Sequence, residues 1–526
     1  MNISKFFSIN MRKGWGVAME LLSNIKKKIQ CCFKVESLSK IDKVRIVALI
    51  IATIILSLCK MYLIPQRLLM ILIMGFSVML FMNVISEVDL IIYSLIFPSE
   101  LYIFVGLAIS IFSFVIKVLR KKIELKMIKY DLKQDKYIQL FLSVIIISSI
   151  LSIISTRVIL NLLIYIMYLL LMLIIFKIAK LTKYKFSKLI KNMNYLFFIQ
   201  IVVCILQGIQ QLKVIGKIES GDQYTGTLAN AHMFCAWLIW YMILLIINYK
   251  DKIVQFKNNI VKEKSFVKFI CLLVKLLSVI VLIYLSDGKH LWLAFGFALI
   301  CWIVLIFIKP IRKYSVIIVG ITIILSLFIS TNIVKISGFK EWISNKSSYI
   351  SMYIYEEPFN TKFGYFDETL NDNLKGKDIV FGLGPGQYGS RVANLRAYEY
   401  MVKEDGLSKA LSKIVPPYVS NQYKEQASKY NEEFVAMIPH MSAVLAYPFS
   451  SIISLFAEVG IVGYLAFLFF LNSTTIKNNS RANKLIVITL LFLMIFDSYM
   501  EITPVVGMFW LILGILQNPI EREEYQ

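Results

Sequence analysis

The chain of 526 residues is 58% hydrophobic and only 17% charged, with a mean hydropathy of +0.71; no soluble globular domain has that balance. Its net charge of +24 would suit a nucleic-acid partner if it were clustered on a folded surface. It is instead parcelled between apolar windows, which excludes nucleic acid and predicts an all-α polytopic membrane protein.

In chain order, residues 1–43 form a basic segment that mixes Phe6, Phe7, Trp15 and Leu21 with lysines, the pattern of a helix lying on a membrane surface. Apolar windows follow at 44–60, 67–82, 83–98, 100–118, 137–155, 158–179, 193–213, 229–248, 267–285, 290–308 and 314–331. After a long hydrophilic stretch, three more lie at 447–470, 485–500 and 503–518, before a tail at 519–526. The expectation is about 12–14 transmembrane helices, with 332–446 as one large outer loop forming a small cap. The weakest window is 83–98, interrupted by Glu87, Asp89 and Pro98.

Of the 57 lysines and arginines, 36 fall in 1–45, 117–136, 177–191, 249–268, 309–313 and 472–484. With all fourteen windows spanning, these six segments share one side, the cytoplasm by the positive-inside rule, and both termini lie there. Without 83–98 as a crossing, the basic 117–136 segment would fall outside. The seven cysteines avoid the large loop, so no disulfide framework is expected. Loop 332–446 holds 13 basic and 13 acidic residues and many tyrosines, unlike a disordered tail.

Several residues could carry chemistry. All three histidines, His232, His290 and His440, fall at the outer ends of windows or in the outer loop. A histidine such as His440 can take a proton from a hydroxyl near neutral pH, or it can be a solvated loop residue. The run "FGLGPGQYGSR" carries Gly384, Gly386 and Arg391; it fits an anion cradle or a tight turn equally well. "YLSDGKHLWLAF" puts Asp287, Lys289 and His290 in a short outer turn, where Lys289 can meet a phosphate or snorkel to the interface. Glu458, in "AYPFSSIISLFAEVGIVGYLAFLFF", is a carboxylate at membrane depth and therefore expected to serve a site. No paired His/Cys spacing of a metal site and no nucleophile elbow occurs, so neither metal nor cofactor is expected.

Four pieces, "QYTGTLANAHMFCAWL" at 223–238, "SDGKHLWLA" at 286–294, "GLGPGQYG" at 382–389 and "YPFSSIISLFAEVGIVGY" at 447–464, together resemble the O-antigen polymerase and O-antigen ligase superfamily of Wzy-type membrane glycosyltransferases. The resemblance implies a bacterial cytoplasmic-membrane enzyme. It would transfer glycan from undecaprenyl diphosphate to the end of another glycan at the outer face, beside flippase and chain-length regulator proteins. The family's diphosphate-associated arginines fall at Gln223, with Gly226 retained, and at Lys289. Its ligases carry His-Asn where this chain has Phe449 and Ser450, so "PFSS" sits closer to the polymerases. By this resemblance Lys289, Arg391 and Gln223 would hold the diphosphate, His440 would act as base and Glu458 would orient a basic group. The alternatives are ligation to a lipid or protein acceptor, a scaffold for a polysaccharide assembly complex, and a flippase, for which the intramembrane charges, chiefly Glu458, Lys275 and Asp497, are few.

Overall fold

A computed structural model describes residues 40–61, 63–120, 136–156, 159–182, 184–258, 263–307, 311–334, 362–396, 419–426, 450–476 and 481–517. Contacts divide the chain at Ala52, inside the first helix, and residues 53–526 form the body considered below. Among the described residues the regular structure is helical and contains no strand, as the recurrent apolar windows require. The long helices are α1 (Lys40–Lys60), α2 (Leu69–Phe81), α4 (Glu100–Leu119), α5 (Lys136–Thr156), α6 (Ile159–Leu181), α7 (Phe186–Ile215), α8 (Ala231–Asn258), α9 (Glu263–Leu285), α10 (Lys289–Phe307) and α11 (Ser315–Val334). The C-terminal helices are α15 (Ser451–Ile476), α16 (Arg481–Phe496) and α17 (Thr503–Leu516). Six of the helices are long and apolar enough to cross a membrane, and five shorter ones are apolar. Their outward residues, such as Ile146, Ile147, Ile150 and Leu151 of α5, are exposed hydrocarbon, as a lipid-facing surface needs.

Window 83–98 departs from the expected helical span. Its helix, α3, covers only Glu87–Ser94. A capping box starts it: Ser86 Oγ accepts from Asp89 N, and the Asp89 carboxylate accepts from Ser86 N at 2.8 Å. Pro98, which cannot donate to a continuing helix, ends the possibility of a longer one. Eight residues rise only about 12 Å, yet the segment still traverses the layer. Glu87 meets Lys117 at 2.6 Å and accepts from Ser113 Oγ at 2.7 Å near one end of α4, Ser94 lies against Gly106 near its middle, and the chain then reaches Glu100 at the other end. Lys117 and Glu100 are about 25 Å apart along the helix rise. A half-helix and an irregular Leu95–Ser99 together make the crossing. Thr227 Oγ1 donates to the Ile96 carbonyl at 2.7 Å, satisfying part of the non-helical backbone.

Glu87 and Asp89, which look like interruptions, are anchors. Asp89 is fully buried and accepts from Tyr184 Oη, Lys188 Nζ and Asn192 Nδ2, each at 2.6 Å. At that same end of the bundle Trp302 Nε1 donates to the Arg481 carbonyl and Gln517 Nε2 to that of Thr474. At the opposite end Lys60 Nζ meets the Leu228 carbonyl, and Arg391 meets Glu100.

The large loop is described in part. It contributes α12 (Lys362–Asp367), a π turn (Glu368–Asn373), α13 (Lys377–Phe381) and α14 (Arg391–Arg396). Tyr365, Tyr388 and Tyr423 are buried and pack on one another, with centroids 6.3 Å apart for the first pair and 5.3 Å for the second. These three form a core for the described part of the loop.

Candidate functional site

The site begins at a break in α15. Gly460 has φ 65° and ψ −174°, a conformation almost exclusive to glycine. The break frees carbonyls that a continuous helix would engage. Leu383 N donates to the Ala457 carbonyl at 2.8 Å and Gly384 N to that of Glu458 at 2.9 Å. Ser148 Oγ, from the middle of α5, donates to the carbonyls of Phe381 at 2.7 Å and Glu458 at 3.2 Å. The approach is so close that a Cβ on Gly460 would stand 2.3 Å from the Val380 oxygen, and one on Gly382 would stand 2.3 Å from the Glu458 oxygen. Gly382, Gly384, Gly386 and Gly389 all have positive φ. The turn reading of the glycine run is therefore realised, and the run faces the protein's own carboxyl group: Tyr388 N donates to Glu458 Oε1 at 3.0 Å, and Gly386 and Ser390 border the same group.

Glu458 is fully buried. Among the described residues its partners are this backbone amide with the Ser390 hydroxyl and Gly386 backbone beside it, not the basic side chain expected from the resemblance. Arg391 is engaged elsewhere. Its guanidinium forks onto both oxygens of Glu100 and donates to the Glu501 carbonyl at 3.3 Å, while its own N–H donates to the Glu501 carboxylate. Burial pushes the Glu501 carboxyl up to about 7, with the Arg391 amide and charge acting against the rise. Tyr168 Oη donates to the Glu501 carbonyl and lies 2.5 Å from Thr503 Oγ1. Asn161 Nδ2 donates to the Gly386 carbonyl at 2.7 Å.

The other two segments meet beside this one. His232, at the head of α8, and His290, at the head of α10, pack edge to face with centroids 4.7 Å apart, and His290 lies 5.7 Å from the Phe496 ring. One turn further, Cys235 Sγ lies 2.9 Å from Ser286 Oγ, and a Cβ on Gly288 would stand 2.2 Å from that sulfur. Asp287 adopts φ 53° in the turn, and Lys289 opens α10. Gln223 is exposed and donates to the Glu219 carbonyl at 3.1 Å. Gly226 at φ 54° leaves space that a Cβ would lose to Gln200 Oε1, 2.2 Å away.

The turn between α16 and α17 joins the two halves. Ser450 Oγ donates to the Met494 carbonyl, Ser451 N to that of Asp497, and Met500 N to Ser451 Oγ. Phe496 touches His290, and Glu501 receives Arg391. All four segments thus gather at one end of the bundle around 496–503. His440 lies outside the described residues, as do the basic segment through residue 39 and most of the outer loop.

Sequence reasoning missed Glu100, Glu501, Tyr168 and Asn161. The signal for Glu501 was present in "DSYMEIT", a polar cluster too dense for a plain turn between two apolar helices. Nothing local marks Glu100 or Asn161, whose partners are hundreds of residues away. No protein-family model matches this chain, and no curated protein or solved structure matches it.

Proposed function

We propose that the protein is a polymerase of lipid-linked oligosaccharide repeat units at the outer face of a bacterial cytoplasmic membrane. The observation that carries this reading is the convergence of the four resembling segments, spread from Gln223 to Tyr464, on one end of an apolar helical bundle. A lipid-linked donor needs a site close to the membrane surface, and a cluster at one end of an apolar helical bundle supports that placement.

In the proposed reaction a sugar hydroxyl of the acceptor attacks the anomeric carbon of the donor. The bond to the diphosphate oxygen breaks, lipid diphosphate leaves with the electron pair, and a base takes the hydroxyl proton. The leaving group is good, so positive charge and one base suffice. Lys289 at the head of α10, beside the histidine pair, supplies the charge, assisted by the dipoles of two helix N-termini. His440 is the proposed base. Arg391 is shared: a diphosphate that recruits it must displace Glu100, so its first role is to hold the glycine loop.

The test is a gel of surface polysaccharide from a strain lacking the gene. Single repeat units on the carrier or the final acceptor are expected, and a normal ladder removes the reading. Undecorated acceptor with inward-facing lipid-linked units would instead indicate a flippase.

A further inference from the structure

We infer that Lys377–Arg391 is a re-entrant loop whose apolar tip, Ile379–Phe381, lies among the hydrocarbon chains of the leaflet at the Glu501 end. The large loop is therefore not wholly a cap in water. This goes beyond the proposed function and rests only on the helical membrane fold.

Depth comes first. The tip is bonded to Ser148 and stands against Gly460. Glu458, whose carbonyl the loop caps, is about 10 Å below Ser451 along the helix rise. Arg391, at the other end of the segment, is back at the level of Glu100 and Glu501. The chain descends into the layer and returns.

Surface chemistry agrees. Ile379, Val380 and Phe381 are 41%, 37% and 38% exposed. Beside Ser148, which holds the tip, the exposed Ile147 and Leu151 lie on the neighbouring face of α5, and the exposed Ile461 and Val462 follow Gly460 in α15. Hydrocarbon that covers these faces of α5 and α15 would also meet the tip, whereas water would meet exposed apolar side chains there. Lys375 and Lys377 are exposed beside it, with stems long enough to reach headgroups.

Backbone satisfaction is the third condition, since unpaired polar groups are not tolerated in lipid. Gly382 N donates to the Asp378 carbonyl, Leu383 N and Gly384 N take the carbonyls freed at the helix break, and the Phe381 carbonyl receives Ser148 Oγ. The break in α15 and the loop complete each other.

The experiment places a nitroxide at Val380→Cys, at Ile379→Cys and at the exposed Asn421→Cys, each in the full chain with native cysteines replaced. The protein is reconstituted in phosphatidylethanolamine–phosphatidylglycerol vesicles, and collisions with oxygen and with a water-soluble nickel chelate are compared. The oxygen-to-nickel ratio at Val380 and Ile379 should exceed that at Asn421 several-fold. Equal ratios at the three sites would put the tip in water and overturn the inference. Shielding from both reagents would mean that protein, not lipid, covers the tip, and would overturn it equally.

Discussion

At the scale of single residues, glycines and buried charged groups hold the interrupted segments together. Gly460 and Gly382 are reciprocal: each needs a φ and ψ that other residues avoid, and each would drive a Cβ into the backbone of the other's segment. Gly460→Ala and Gly382→Ala should each destabilise by about 2–3 kcal/mol, whereas Gly75→Ala, in a helix with nothing within 4 Å, should be neutral or gain up to about 1 kcal/mol. Thermal unfolding in detergent separates them. Glu458 holds an amide rather than a cation, so Glu458→Gln, whose carbonyl can still accept from Tyr388 N, should keep polymer length. Glu458→Ala leaves that N–H buried and unpaired and should cost about 1–3 kcal/mol. A Gln variant as defective as the Ala variant would show that the charge itself is used. For Arg391 the discriminating measurement is a double-mutant cycle. If the arginine serves Glu100, Arg391→Ala and Glu100→Ala should have similar effects that fail to add, of about 10- to 100-fold in polymer yield. An Arg391→Ala defect far beyond that of Glu100→Ala would give the guanidinium a direct role on substrate.

The decisive element is the half-helix α3. Its brevity follows from the capping box at Ser86 and from Pro98, and its place follows from Asp89, which gathers Tyr184, Lys188, Asn192 and Ser86 around one carboxylate. Asp89→Ala would leave those donors without an acceptor. Lys188 is 32% exposed and can turn to solvent, which limits the loss, so the expected cost is about 2–3 kcal/mol. Reduced protein in the membrane and a lower unfolding temperature would report it; an unchanged unfolding temperature would mean that α3 is held by apolar packing alone. The broken α15 shows the same economy at the other end of the bundle, where backbone groups released by an interruption become the partners of another segment.

Across the whole molecule the described helix ends alternate. Pairs such as Lys117 with Glu87 and Trp302 with Arg481 share one end, and Lys60 with Leu228 and Arg391 with Glu100 share the other. Because 87–100 runs the length of α4, the described helix ends alternate as fourteen crossings require, and the proposed topology puts the Lys313 end in the cytoplasm by the positive-inside rule. Cysteine at the exposed Glu425 should react with a membrane-impermeant thiol reagent in intact cells, and cysteine at the exposed Lys313 should react only after permeabilisation. The reverse pattern would invert the proposed site with the topology.

The helical membrane class and the windows are local properties: about 20 apolar residues must form a helix in a bilayer because no water can satisfy their backbone. They were legible from hydropathy alone; most helix ends match the windows to within about four residues, but α7 begins at Phe186 rather than 193, α8 runs to Asn258 rather than 248, α15 runs to Ile476 rather than 470, and 83–98 holds only a half-helix. Glu458 was legible as anomalous for the same reason, a charge at membrane depth. What it meets was not, because Tyr388 is brought to it by a loop whose path depends on the break at Gly460. Arg391 read as a free cation because Glu100, 291 positions away, leaves no trace near it. The pairing of His232 with His290 likewise needs α8 and α10 to be packed head beside head. Partners distant in sequence are chosen by packing, and packing is a property of the assembled bundle rather than of any window within it.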